Sequence, residues 1–150
     1  MTRGDGNRIL ILNGPNLNLL GTREPEIYGH QTLEDIHEEM RRRAVQLDLQ
    51  VVWFQSNHEG ALIDRIHEKD FDFVIVNAGG LTHTSVALRD ALLGVGRPFV
   101  EVHLTDPSKR EAFRRVNFLE DVAIASIVGH GTRGYTEALE LLAERIRSRG

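Results

Sequence analysis

Phe73-Val74-Ile75-Val76 runs straight into Asn77-Ala78-Gly79-Gly80-Leu81-Thr82-His83. The first part is continuous, apolar and largely β-branched, the pattern of a strand covered on both faces. The second part is polar and small, with glycines that let backbone come close to a ligand. The same junction recurs on either side of it. Arg8-Ile9-Leu10-Ile11-Leu12 discharges into Asn13-Gly14-Pro15-Asn16, and Val51-Val52-Trp53-Phe54 into Gln55-Ser56-Asn57-His58. Phe99-Val100-Glu101-Val102-His103 runs into Leu104-Thr105-Asp106, and Ala123-Ile124-Ala125-Ser126-Ile127-Val128 reads as a fifth strand.

Helical spacing fills the intervals. Leu33, Ile36, Met40, Ala44 and Leu47 share one face, with Thr32 placed as N-cap. Leu62, Ile63 and Ile66 mark a second helix, and the stretch from Ser85 to Leu93 a third. A short, charged pattern covers Ser108 to Arg115, and Leu139, Leu142, Ala143 and Ile146 close the chain behind Thr136 as a cap. This alternation predicts an α/β fold: a flavodoxin-like, doubly wound, five-stranded parallel sheet in a single domain over residues 8–150. Residues 1–7, with Gly4 and Gly6, are expected to be a disordered N-terminal extension.

Composition narrows the function. At 150 residues, 41% hydrophobic and 27% charged, the chain has the make-up of one globular domain. With no cysteine, disulfides, thiolate nucleophiles and Cys-ligated zinc are excluded. A net charge of −4 argues against a nucleic-acid partner. No apolar run approaches the roughly 18 residues of a membrane span, and the first eight residues carry no signal-peptide core, so the cytoplasm is the expected compartment. Lys69 and Lys109 are the only lysines among 18 basic residues. Arginine grips oxyanions with a rigid fork but forms no imine, so Schiff-base chemistry has two candidates at most.

Ligands of open α/β sheets bind beyond the carboxyl ends of the strands, and the Asn- and His-rich junctions fall there. The connection from Asn13 to Gln31 shows no helix pattern and is long for such a loop. It carries Arg23, Glu24 and Tyr28, stiffened by Pro15 and Pro25. A lid fits this composition; so does a solvated connector. Tyrosine is a poor base at its free pKa near 10, but a neighbouring guanidinium stabilises the phenolate and makes it a usable proton acceptor. Glu101 and His103 share a strand face. The carboxylate would favour the imidazolium, a proton donor; a strand-end histidine simply satisfied by Glu101 fits the same pair. Arg110 and Arg114 lie four apart, share a helix face and would clamp an anion; Arg115, on a different side, reads as solvated. Ser85 has no G-x-S-x-G around it and reads as a helix start. His58, His83, His103 and Glu101 lack metal-site spacing, and neither a G-x-G-x-x-G nor a P-loop follows a strand.

Taken together, Asn13-Gly14-Pro15-Asn16-Leu17-Asn18 and Gly21-Thr22-Arg23-Glu24-Pro25-Glu26-Ile27-Tyr28-Gly29 resemble the N-terminal signature of the type II 3-dehydroquinate dehydratases. Gln55-Ser56-Asn57-His58-Glu59-Gly60, Asn77-Ala78-Gly79-Gly80-Leu81-Thr82-His83-Thr84-Ser85, Glu101-Val102-His103, Phe113-Arg114-Arg115 and Gly129-His130-Gly131-Thr132-Arg133-Gly134-Tyr135 resemble the later motifs, in order. The resemblance implies conversion of 3-dehydroquinate to 3-dehydroshikimate, a shikimate-pathway step of aromatic amino acid biosynthesis that quinate breakdown also uses. It implies anti elimination of water through an enolate, with no metal, cofactor or imine. Tyr28 would be the base, supported by Arg23, and Asn16 would hold a water beside the enolate oxygen. His103 would be the acid, oriented by Glu101. Asn77, His83 and Arg114 would bind ring hydroxyls, Leu104 and Thr105 the carboxylate, and Arg110 would belong to the lid. Asp90 would reach a neighbouring subunit's site in a homo-oligomer, a dodecamer of trimers, with no nucleic-acid or membrane partner. The chain departs from the family's commoner residues at Thr105, often Ser, and at Asp106, commonly Asn, where an inward carboxylate would disfavour an anion. A non-enzymatic flavodoxin-like nucleotide- or flavin-binding module is the alternative, and it would need a phosphate-cradling loop after the first strand. A receiver-type signalling domain would need an acidic residue where the chain has Asn77.

Overall fold

A computed structural model of the chain describes residues 6–22, 26 and 30–149. Five strands, β1 (Arg8–Asn13), β2 (Gln50–Gln55), β3 (Phe73–Asn77), β4 (Phe99–His103) and β5 (Ala125–Val128), form one sheet in the order β2-β1-β3-β4-β5. Every pairing is parallel. Among the described residues, four helices complete the fold: α1 (Leu33–Gln46), α2 (Glu59–His67), α3 (Val86–Val95) and α4 (Arg133–Arg149). This is the doubly wound, flavodoxin-like sheet expected from the alternating patterns.

Both faces are covered, which is why the strands read as continuous apolar runs. Ile9, Ile11, Phe73, Ile75, Val100 and Val102 point to one face, where α1 and α4 pack with Ile36, Met40, Leu139 and Leu142. Leu10, Leu12, Val74 and Val76 point to the other, against Leu62 and Ile66 of α2 and Leu88, Ala91 and Leu92 of α3. Thr32 caps α1 through a complete capping box with Asp35. Ser85 caps α3, its Oγ accepting from the Leu88 amide at 2.8 Å, which realises the helix-start reading.

Local expectations fail at three points. The segment Ser108 to Arg115 is not one helix but two 3-10 turns, Pro107–Lys109 and Ala112–Arg115. Glu111 between them is extended (φ −61°, ψ 150°), so Arg110 and Arg114 do not share a helix face. The stretch has no apolar stripe to bury, since its one large apolar residue, Phe113, is 64% exposed, and short helices without such a face are marginal. Thr136 is not a cap: α4 begins a turn earlier, at Arg133, and the Thr136 hydroxyl donates back to the Arg133 carbonyl at 3.1 Å. Ala123 and Ile124 precede β5 because a turn at Leu119 takes the Ala123 amide (3.1 Å). The β1–α1 connection also contains a 3-10 turn, Leu17–Leu19, that buries Leu17. Of the N-terminal extension, residues 1–5 lie outside the described residues; Asn7 donates to the Asp48 carbonyl at 2.8 Å.

One glycine is dictated by close approach. A Cβ on Gly14 would stand 2.3 Å from the Ala78 carbonyl oxygen, so the loops after β1 and β3 touch only because residue 14 has no side chain.

Candidate active site

The carboxyl ends of β1, β3 and β4 surround a cleft of about 170 Å³, lined by Asn16, Asn77, His83, His103, Leu104, Thr105, Arg110 and Arg114, with Pro15, Leu17, Gly79, Gly80 and Pro107. Among the described residues, the lining contains two arginines, two histidines and no carboxylate. Such a concavity favours a small anion with several hydrogen-bonding groups.

The strand ends set its floor. Asn13, Gln55 and Asn77 lie side by side in the register of β2, β1 and β3. Gln55 Nε2 donates to the Gly14 carbonyl at 3.1 Å, and the Gly14 amide donates to the Asn77 carbonyl at 2.8 Å. The Asn57 side chain accepts from the Asn16 amide at 2.9 Å, holding Asn16 in a left-handed conformation (φ 72°). A strand-end row of amides thus shapes the loop that presents Asn16.

At the end of β4, Glu101 is fully buried and His103 is 7% exposed. Glu101 Oε2 lies 2.5 Å from His103 Nε2 and accepts from Asn117 Nδ2 at 2.9 Å; Oε1 accepts from the Ser126 hydroxyl at 2.7 Å. Burial alone would push the Glu101 carboxyl up, but the bonds from His103, Ser126 and Asn117 outweigh it and hold it below the ordinary carboxylate range. An ionised carboxylate has only acceptor sites. His103 Nε2 therefore carries the hydrogen, and Nδ1 is the nitrogen left to act in the cleft that His103 lines.

The opposite wall is held by backbone and by ion pairs. His83 Nδ1 donates to the Val116 carbonyl at 2.6 Å. Arg114 Nε donates to Glu111 Oε1 at 2.6 Å. Asp106 accepts from the Ser108 amide and hydroxyl at 3.0 and 2.7 Å; its carboxylate caps the 3-10 turn and is absent from the cleft lining.

Of the residues singled out in the sequence, Asn16, Asn77, His83, His103, Leu104, Thr105, Arg110 and Arg114 converge here, with Glu101 directly behind His103. Asp90 does not: it is exposed on α3, away from the lining. Arg23 and Tyr28 lie outside the described residues. Arg115, Lys69 and Lys109 are exposed and line no part of the cleft. Among the described residues, no three His, Asp or Glu side chains gather to hold a metal, and no helix is long and apolar enough to cross a membrane. Sequence reasoning passed over Asn117, Ser126, Asn57 and the hydroxyl of Tyr135. Ser126 carried a readable signal, a lone hydroxyl in an apolar strand that pairs with Glu101 in the β4–β5 register.

Comparison with known proteins agrees with this geometry. The family model "Dehydroquinase class II" matches residues 7–143. A catabolic 3-dehydroquinase of Pyricularia oryzae is 54% identical over 144 residues, covering 93% of this chain and 92% of the relative. A 3-dehydroquinate dehydratase of Acinetobacter baumannii is 52% identical over 142 residues, covering 93% and 94%. Among solved structures, the type II dehydroquinase of Butyrivibrio crossotus superposes with a TM-score of 0.88 at 41% identity, covering 91% of this chain and 97% of that one. With a family match over nearly the whole chain and a cleft at the sheet edge where its motifs converge, the chain belongs to the class II dehydroquinases.

Proposed function

We propose that this chain is a hydro-lyase that removes water from 3-dehydroquinate to give 3-dehydroshikimate. The observation that carries the reading is the buried Glu101–His103 pair opening on a cleft whose charged lining, among the described residues, is cationic. In the proposed sequence Tyr28, as phenolate beside Arg23, takes the proton alpha to the ketone, and the electron pair passes into an enolate. Asn16 holds a water at the enolate oxygen. The enolate then re-forms the ketone while the carbon–oxygen bond to the leaving hydroxyl breaks. His103 protonates that hydroxyl, releasing water and leaving a conjugated double bond. Glu101 keeps the imidazole oriented and balances its charge when it is protonated. Arg114, His83 and Asn77 bind ring hydroxyls, the Leu104–Thr105 segment receives the carboxylate, and Arg110 closes over it. Asp90, exposed on α3, serves a neighbouring subunit in a dodecamer of trimers located in the cytoplasm; the family resemblance supports that part of the reading.

The test is direct. Purified protein given 3-dehydroquinate should generate the ultraviolet band of an enone, and Tyr28→Phe should abolish it with the fold intact. Borohydride added with substrate should leave activity unchanged. Inactivation with a substrate adduct on Lys69 or Lys109 would replace this reading with imine chemistry, and a fully active monomer in sedimentation would refute the oligomer.

A further inference from the structure

We propose that Tyr135, on the first turn of α4, is a positioning residue that sets which end of the Asn77 side-chain amide faces the cleft. The inference rests on the reading of Asn77 as a substrate-binding residue. Tyr135 is fully buried, yet its ring alone would be satisfied by any apolar neighbour. Its hydroxyl does something a phenylalanine could not. It donates to Asn13 Oδ1 at 2.6 Å and accepts from Asn77 Nδ2 at 3.0 Å. Three residues far apart in sequence are thereby joined in one buried chain beneath the cleft floor.

The Asn77 amide is fixed from both ends. Its Oδ1 accepts from the Gly79 amide at 3.2 Å, and its Nδ2 donates to Tyr135. Nδ2 has two hydrogens; with one committed to Tyr135, the other is the donor it can offer to a bound ring. Flipping the amide would set its NH2 against the Gly79 N–H, donor against donor, and turn its carbonyl to the Tyr135 hydroxyl, whose hydrogen is already given to Asn13. Asn13 is oriented by the same hydroxyl, and its Nδ2 goes to the Phe54 carbonyl at 3.4 Å.

The approach of α4 makes this reach feasible. A Cβ on Gly134 would stand 3.2 Å from Val102 Cγ1 and 3.4 Å from Ile127 Cγ2, so the helix start lies tight on β4 and β5. The next residue, Tyr135, then sits low enough for its hydroxyl to meet the ends of β1 and β3. Burial holds the phenol well above its ordinary pKa, so at neutral pH it is a neutral donor and acceptor.

The experiment compares four proteins: the wild type, Tyr135→Phe, Asn77→Ala and the double variant. Tyr135→Phe is expected to raise KM for 3-dehydroquinate about tenfold, with kcat changed less than about threefold, because two buried amide groups lose their partner. In the Asn77→Ala background the same substitution should alter KM by less than about twofold, since the residue it acts through is gone. An unchanged KM in Tyr135→Phe, or the same factor in both backgrounds, would overturn the inference. A second readout separates this from the activity reading: the Asn77 side-chain amide protons, followed by NMR without substrate, should exchange faster in Tyr135→Phe. Unchanged exchange would overturn the inference even if the protein proved inactive on 3-dehydroquinate. A wild type that fails to turn over 3-dehydroquinate would refute the proposed function alone.

Discussion

The floor and the rim of the cleft are built on different physical terms. The floor, made by the ends of β1 to β4, is buried and densely hydrogen-bonded: Glu101 accepts from three donors, and Asn77 is fixed at both ends of its amide. The rim, residues 105–116, consists of two short 3-10 turns held by Asp106 with Ser108 and by Glu111 with Arg114. Buried, fully paired polar groups are costly to disturb, whereas exposed ion pairs contribute little and are screened by salt. The floor therefore suits the residues that must move protons with fixed geometry. The rim suits a clamp that must let a ligand in and out.

That contrast is broken or sharpened by substitution. Glu101→Gln gives the largest expected effect. It sets an NH2 group among donors, removes the negative charge behind His103, and should lower kcat by about 10²-fold or more; turnover within a few-fold of wild type would mean the floor is not catalytic. Arg114→Ala should be milder, raising KM about tenfold through loss of a charge-assisted contact. Its effect should shrink as salt is raised, and a salt-independent loss of kcat would place Arg114 with the floor. Glu111→Ala should change KM only about two- to threefold, because it removes an exposed anchor and not the guanidinium.

The legibility of the molecule follows the same line. The strands, the Thr32 and Ser85 caps and the Glu101–His103 pairing could be read because each is local: periodicity, i to i+3 capping, and alternation along one strand. The Tyr135 hydroxyl could not, since its partners Asn13 and Asn77 are brought to it only by the packing of α4 on the sheet. Asn117 was invisible for the same reason: its amide reaches Glu101 from a loop, while its Oδ1 accepts from the Leu119 and Glu120 amides. At the rim, charge spacing suggested a helix between Ser108 and Arg115. Arg110 and Arg114 nevertheless line the same cleft, because two turns and an extended Glu111 bring them to it. Alternation and capping are written in adjacent residues, whereas convergence of distant polar groups is decided by tertiary packing.

The smallest expected effect is on stability against pH. Glu101 is held below its ordinary value of 4.5 in the folded chain, so the unfolded chain binds its proton at higher pH. The stabilisation is present above the ordinary carboxylate range and is lost as pH falls through the folded value. Thermal unfolding from pH 7 downward should show a steeper acid limb in the wild type than in Glu101→Gln. Parallel limbs would mean that another carboxylate carries the dependence.

The central claim is that His103 delivers the proton to the departing hydroxyl while a separate base opens the reaction. His103→Ala incubated with 3-dehydroquinate in deuterated water tests it most directly, by following solvent exchange at the carbon alpha to the ketone alongside enone formation. The account predicts that exchange continues while elimination falls by about 10²–10⁴-fold. Elimination near the wild-type rate would contradict it.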